Sequence, residues 1–192
     1  MTQTQPGLSP AHRPPHLADL DGDPSGDAAR ERTYTWQDPS PIFATLGTRP
    51  GIELLKTMEA GGLPPPPIMH TLGLSGFTAE VGTATFTLVP REFHYNPLGT
   101  VHGGVIAMML DSAAGCAVHS VLPAGEGYTS VDLTTKYLRP VTVATGEIVA
   151  TGTVVSRGAR TALAEARLTD ARGRLLAHAT STCLIFPLPP AS

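Results

Sequence analysis

Residues 96–111 read NPLGTVHGGVIAMMLD. The stretch joins a turn, a glycine-rich helix start and one carboxylate inside an otherwise apolar helix. From Val105 to Val118 the only charged residue is Asp111, and apolar side chains occupy nearly every face. A helix of that kind has protein on all sides. An ionised carboxylate held out of water needs compensating partners, which makes Asp111 a candidate for chemistry rather than for solvation.

Gly103 and Gly104 open this helix, where the first backbone N–H groups have no intrahelical acceptor and the helix dipole adds positive potential. Lacking a Cβ, glycine lets a carbonyl approach closely, and an N–H aimed at the carbonyl oxygen stabilises the oxyanion formed on attack. Gly103 is the expected donor, although a Gly-Gly pair also serves a tight loop-to-helix entry with no chemical role. His102 and Asp111 lie nine positions apart, roughly 13 Å along a helix rising about 1.5 Å per residue. One chain does not bring both to one carbonyl. If both serve one site, the helix start of one subunit meets the mid-helix carboxylate of another, and two-fold symmetry creates two such sites. The spacing therefore points to an obligate dimer. Gly104, Ala107, Ala114 and Gly115 share a stripe with Asp111 and leave room for a partner backbone, a ligand or a close helix–sheet contact. Asn96, before Pro97, suits either a local backbone cap or a group that holds water, and His102 either orients the loop or exchanges protons.

Outward from this segment, a chain of 192 residues with 41% hydrophobic and 15% charged content is expected to form one domain with an extension. A net charge of −3 gives no broad basic surface and argues against nucleic acid or an anionic membrane as the main partner. No run approaches the roughly 20 apolar residues needed to span a bilayer, and the first residues lack a signal peptide's apolar core, so a cytoplasmic location is expected. Cys116 and Cys183 fit neither a disulfide framework nor a metal-site spacing and read as reduced core residues.

Residues 1–40, rich in Pro, Gly, Asp and Ala, are expected to be a flexible extension. Residues 41–67 should hold a short docking helix carrying Ile52, Leu54, Leu55 and Met58, then an extended linker imposed by Pro64 to Pro67. The folded domain is expected over 68–187. Its signals are mostly β: a run around Leu72 to Phe77, then Gly82 to Val89, Thr129 to Leu138, Glu147 to Ser156, Thr161 to Thr169 and Leu175 to Phe186. Glycine-bearing turns at 156–159 and 170–173 make the last three an antiparallel meander. Six strands and one buried helix give an α+β fold in which a sheet wraps around the helix.

Asn96, Gly99, His102-Gly103-Gly104 and Asp111, followed by Ser130-Val131-Asp132-Leu133 and Tyr137-Leu138-Arg139-Pro140, resemble the hotdog-fold acyl-CoA thioesterases, specifically the phenylacetate-pathway (PaaI-like) branch of the 4-hydroxybenzoyl-CoA thioesterase superfamily. The resemblance covers roughly residues 70–186. It implies a six-stranded antiparallel sheet around the central helix, dimers that often pair into tetramers, and active sites between subunits. It also implies catalysis by Asp111 as general base or nucleophile, an oxyanion donor at Gly103, positioning by His102 and Asn96, and a hydrogen bond from Ser130 near the carboxylate. Simple strand alternation turns Ser130 away from Asp111, so this last contact requires a bulge or a strand end. Coenzyme A enters as part of the substrate, and no metal or redox cofactor is expected. Gly104 would line the substrate site, and Arg139, Arg157 and Arg160 are candidates for the coenzyme's phosphates.

Two other readings use the same segment. A non-catalytic hotdog protein would bind acyl-CoA as a sensor or scaffold, because fold does not fix function. A hotdog dehydratase or hydratase would use a differently placed His and acid, and this chain lacks the Pro-Gly helix entry of that group. Acyl specificity is not readable from the sequence, and Met108 and Met109 suit either an adaptable tunnel or core filling.

Overall fold

The computed structural model describes residues 30–188. Three short helices come first: α1 (Ser40–Thr45), α2 (Gly51–Glu59) and α3 (Pro67–Leu72). Strands β1 (Gly76–Glu80) and β2 (Thr83–Leu88) precede the long helix α4 (Gly103–Ser120). After it run β3 (Glu126–Ser130), β4 (Thr134–Tyr137), β5 (Ile148–Arg157), β6 (Thr161–Asp170) and β7 (Leu175–Pro187). Every pairing is antiparallel, in the order β1-β2-β5-β6-β7-β3, with β4 also on β7. The architecture is the expected α+β hotdog, a sheet wrapped around one helix.

Side-chain size explains how the sheet closes on the helix. β6 turns Ala162, Ala164, Ala166 and Leu168 inward, and β7 turns Ala177, Ala179 and Cys183 inward, all buried. Small residues at these positions let α4 sit close to the strands and fill the space with its own Ile106, Met109, Leu110, Ala113 and Val118. Each of the larger chains contributes about 1.5–3 kcal/mol by leaving water. Contact is tightest at Gly152 on β5, where an added Cβ would lie 2.1 Å from the Ala113 carbonyl oxygen. Gly115 is as constrained, since its Cβ would meet the Tyr128 hydroxyl at 2.6 Å. The small-residue stripe of α4 is thus filled at Gly115 and Ala114 by the chain's own sheet.

The sheet has six positions, but the last is shared. The expected strand from Thr129 to Leu138 is two, because the ladder breaks beyond Val131, whose N–H still donates to the Thr182 carbonyl at 2.9 Å. Asp132 replaces the missing backbone bonds: its carboxylate accepts from the Thr182 N–H at 3.0 Å and its carbonyl from the Ser181 hydroxyl at 2.8 Å. The expected β run beginning at Leu72 is also corrected. Pro67 occupies the first turn of α3, where a missing N–H costs nothing, and Gly73 closes that helix at φ 68°.

The docking helix α2 forms as expected and buries Leu54 and Leu55. Gly51 admits it against the end of α4, since a Cβ there would fall 1.8 Å from the His119 carbonyl oxygen. The folded unit therefore starts before Ile68. Within the segment expected to be an extension, Arg32 donates to the carbonyls of Thr71 and His70 at 2.5 and 2.7 Å and stacks 4.0 Å over the Phe93 ring. Residues 1–29 of that segment lie outside the described residues. At the other end of the sheet, Gly47, Gly125 and Leu188 join three distant segments: the Gly125 N–H donates to Gly47 at 2.8 Å and the Leu188 N–H to Gly125 at 2.7 Å.

Candidate active site

The loop before α4 is built to present the helix start. Asn96 accepts the Leu98 N–H at 2.9 Å and donates its amide to the Thr100 hydroxyl at 3.1 Å, while Gly99 takes φ 71°. The amide oxygen of Asn96 is thus committed to the turn. His102 is the N-cap, and its Nδ1 accepts the Gly104 N–H at 2.9 Å. A neutral imidazole accepting at Nδ1 carries its proton on Nε2, which leaves an exposed donor at the helix entrance. The Gly104 N–H is consumed by this cap. The Gly103 N–H has no protein acceptor among the described residues.

Tyr137 closes over that point. Its hydroxyl donates to the Gly103 carbonyl at 3.0 Å, and a Cβ on Gly103 would sit 3.2 Å from the ring. Asn96, Gly103, Ile106, Tyr137 and Arg139 line a cleft of 320 Å³ around the helix start. The Arg139 guanidinium is held there by the Leu175 carbonyl.

Asp111 opens into a second cleft, of 490 Å³, lined also by Ser130, Tyr128, His119, Leu46 and Leu188. The Ser130 hydroxyl donates to Asp111 Oδ1 at 2.9 Å. Ser130 is the last residue of β3 and pairs with the inward-facing Cys183, so the pleat itself turns its hydroxyl toward α4. The charge of Asp111 is felt around it. Burial first, and then that charge, push the Cys116 thiol up to about 12. Burial, followed by the neighbouring Cys116, Cys183 and Asp111, raises the Tyr128 phenol well above its ordinary value. Cys116 and Cys183 are both free thiols.

The two clefts share no lining residue. Gly103 and Asp111 are eight residues apart on one straight helix, about 12 Å at 1.5 Å per residue. Within a single chain the two clefts are therefore separate. The remaining candidates are elsewhere. Gly104 is exposed beside its cap, Arg157 pairs with Glu126 at 2.5 Å, and Arg160 lines a separate pocket of 390 Å³ with Glu126 and Phe186. Sequence reasoning missed His119 and assigned no role to Tyr137. His119 was detectable, since Asp111, Gly115 and His119 repeat at four-residue spacing on one helix face. Leu46 and Leu188 had no local signal.

Residues 98–177 match the sequence family described as the thioesterase superfamily. AziG from S. sahachiroi, a solved structure, is 30% identical and superposes with a TM-score of 0.60 over 65% of this chain and 98% of its own. This chain belongs to the thioesterase superfamily. Other superfamily relatives agree. A phenylacetic acid degradation-related protein from Ralstonia eutropha JMP134 is 28% identical, with a TM-score of 0.61 over 68% of this chain and 98% of its own. Acyl-coenzyme A thioesterase 13 from Mus musculus is 35% identical over 93 residues, 48% of this chain and 65% of the mouse protein. The chain spans 44% to 65% of the length of the curated relatives it matches. Among the described residues no helix is long and apolar enough to cross a membrane.

Proposed function

We propose that this protein is an acyl-CoA thioesterase of PaaI-like type that hydrolyses an acyl-CoA to a free acid and coenzyme A. The observation that carries the reading is a carboxylate held by Ser130 in one cleft and an uncommitted Gly103 N–H in another, on a helix too long for both to reach one carbonyl. A homodimer with two-fold symmetry brings the Gly103 cleft of one subunit to the Asp111 cleft of the other.

In that shared site the thioester carbonyl accepts from Gly103 N–H, whose positive helix end stabilises the developing oxyanion. Asp111 takes a proton from water as the water oxygen bonds to the carbonyl carbon. Collapse of the tetrahedral intermediate breaks the C–S bond, and the proton returns to the coenzyme A thiolate. Alternatively a carboxylate oxygen of Asp111 attacks, coenzyme A leaves, and water cleaves the resulting anhydride. A single turnover in heavy-oxygen water tests for the second route: label in the protein carboxylate establishes an anhydride opened at the Asp111 carbonyl, and an acyl-enzyme trapped by rapid quench establishes one opened at the acyl carbon. The chemistry calls on no metal or redox cofactor. His102 Nε2 and the Asn96 loop would position the thioester, and Arg139 at the cleft mouth would meet the coenzyme's phosphates.

The deciding experiment is thiol release from a panel of acyl-CoA esters by the wild type, Asp111→Asn and Gly103→Val, followed by mixing the two inactive variants. Exchange of subunits restores one intact site in half of the dimers, about a quarter of wild-type activity. Saturable acyl-CoA binding with no turnover on any ester would instead make the protein a sensor or scaffold. Absence of restored activity in a proven mixed dimer would place the whole site within one chain.

A further inference from the structure

The seam between β3 and α4 changes from open to shut within one helical turn. β3 turns two residues inward, Ser130 and Tyr128, which pair with the buried Cys183 and Ile185 of β7. Two residues of strand span about 6.8 Å and four residues of helix about 6 Å. Ser130 therefore meets Asp111, and Tyr128 meets Gly115 one turn further along. At the first pair the seam is open: Asp111 and Ser130 are half-buried and line the cleft. At the second it is closed. A Cβ on Gly115 would lie 2.6 Å from the Tyr128 hydroxyl oxygen, 2.9 Å from Cε2 and 3.1 Å from Cζ. The ring rests directly on helix backbone, a seat that only a buried glycine leaves free.

His119, a further turn along α4, packs on the same ring at 5.8 Å between centroids. It borders the cleft, yet both its ring nitrogens are buried and have no hydrogen-bond partner among the described residues. The groove beside α4 thus ends at Tyr128. In the shared site the coenzyme belongs to the Gly103 cleft, where Arg139 stands, so the acyl group is left with the Asp111 cleft. Leu46, Phe186 and Leu188 add an apolar lining that suits a hydrocarbon. An acyl group whose carbonyl carbon meets Asp111 has about 6 Å of helix before the ring, the length of roughly four or five methylenes.

We infer that Tyr128, seated on Gly115, is the stop that limits the acyl group to about six carbons and makes short-chain acyl-CoA the substrate class. The inference rests on the acyl-CoA reading of the site and deepens it by naming the acyl length. The stop works by bulk. A longer tail either displaces the ring from a close-packed wall or leaves the groove, and both weaken binding.

The test compares chain lengths within each protein, so that a general loss of rate does not count. Thiol release is measured on straight-chain esters from acetyl-CoA to decanoyl-CoA with the full-length wild type, Tyr128→Phe, Tyr128→Leu and Tyr128→Ala. In the wild type kcat/KM should fall about tenfold or more between hexanoyl and decanoyl. Tyr128→Ala should remove most of that fall and Tyr128→Leu move it to longer chains, whereas Tyr128→Phe, which keeps the ring, should retain it. Uncleavable alkyl thioethers of coenzyme A of the same lengths, titrated calorimetrically, repeat the comparison without chemistry. A wild type that takes decanoyl as readily as hexanoyl overturns the assignment. So does an unchanged fall in whichever of Tyr128→Ala and Tyr128→Leu folds. If the length limit holds for the thioethers but no ester is turned over, Tyr128 stands as the stop and the hydrolytic reading falls. If no thioether binds, both fall.

Discussion

The two clefts on α4 differ in what they offer and in how they are held. At the helix start the donor is a backbone N–H, the neighbouring His102 is exposed, and one tyrosine ring forms the lid. Around Asp111 the polar groups are side chains, and the wall includes a buried imidazole and two leucines, Leu46 and Leu188, from segments distant in sequence. A backbone donor needs only a correct loop. A carboxylate and its ligands need packing to hold rotamers, which is why the second cleft draws on β3, the segment after α1 and the last residue after β7. The apolar helix between them acts as a spacer with an unpaired donor at one end and a carboxylate in the middle.

The comparison is sharpest where it predicts the largest effect. Asp111→Asn keeps the shape and the Ser130 contact but removes the base, so kcat should fall about 10²- to 10⁴-fold, with the melting temperature little changed. Ser130→Ala leaves the carboxylate in place without its one hydrogen bond. Loss of a bond to a charged group corresponds to about a ten- to hundredfold drop in kcat, read in the same thiol-release assay. Tyr137→Phe touches only the carbonyl of Gly103 and should cost about tenfold or less; a loss as large as that of Asp111→Asn would make the lid part of the chemistry. The smallest effect sharpens the difference in burial. With its thiol pushed up to about 12, Cys116 carries almost no thiolate near neutrality, so alkylating reagents should leave it unlabelled in the native protein at neutral pH and modify it only on unfolding.

The sequence carried the fold where one residue type repeats with one period. β6 and β7 alternate small apolar and polar residues and end at glycine turns, and their ranges follow from that pattern alone. The break between β3 and β4 did not, because Asp132 substitutes a side chain for a backbone partner across 50 positions of sequence. α3 was hidden by its prolines. A run of four reads as an extended linker, yet the last opens a helix whose final carbonyls are held by Arg32 from a segment with no periodicity of its own. In the site, Asp111 and Gly103 stood out because each violates the local pattern of an apolar helix. The contact from Ser130 was expected to need a bulge or a strand end, yet its register opposite the buried Cys183 places it on the inner face of β3 by the pleat alone. Gly152 had no signal at all. Its requirement comes from the Ala113 carbonyl of a helix about 40 positions earlier, and Gly152→Ala should destabilise the fold by about 1–3 kcal/mol or more, measurable by chemical denaturation.

The chain of bonds from Gly47 through Gly125 to Leu188 ties the segment after α1 and the residue after β7 onto one seam beside the Asp111 cleft. Tags, fusions and truncations are usually placed at termini on the premise that little happens there. Here a cut before Leu188, or a graft that pulls on residues 46 and 47, would unpick the seam and widen the cleft. The seam is therefore a natural handle for widening what the cleft accepts.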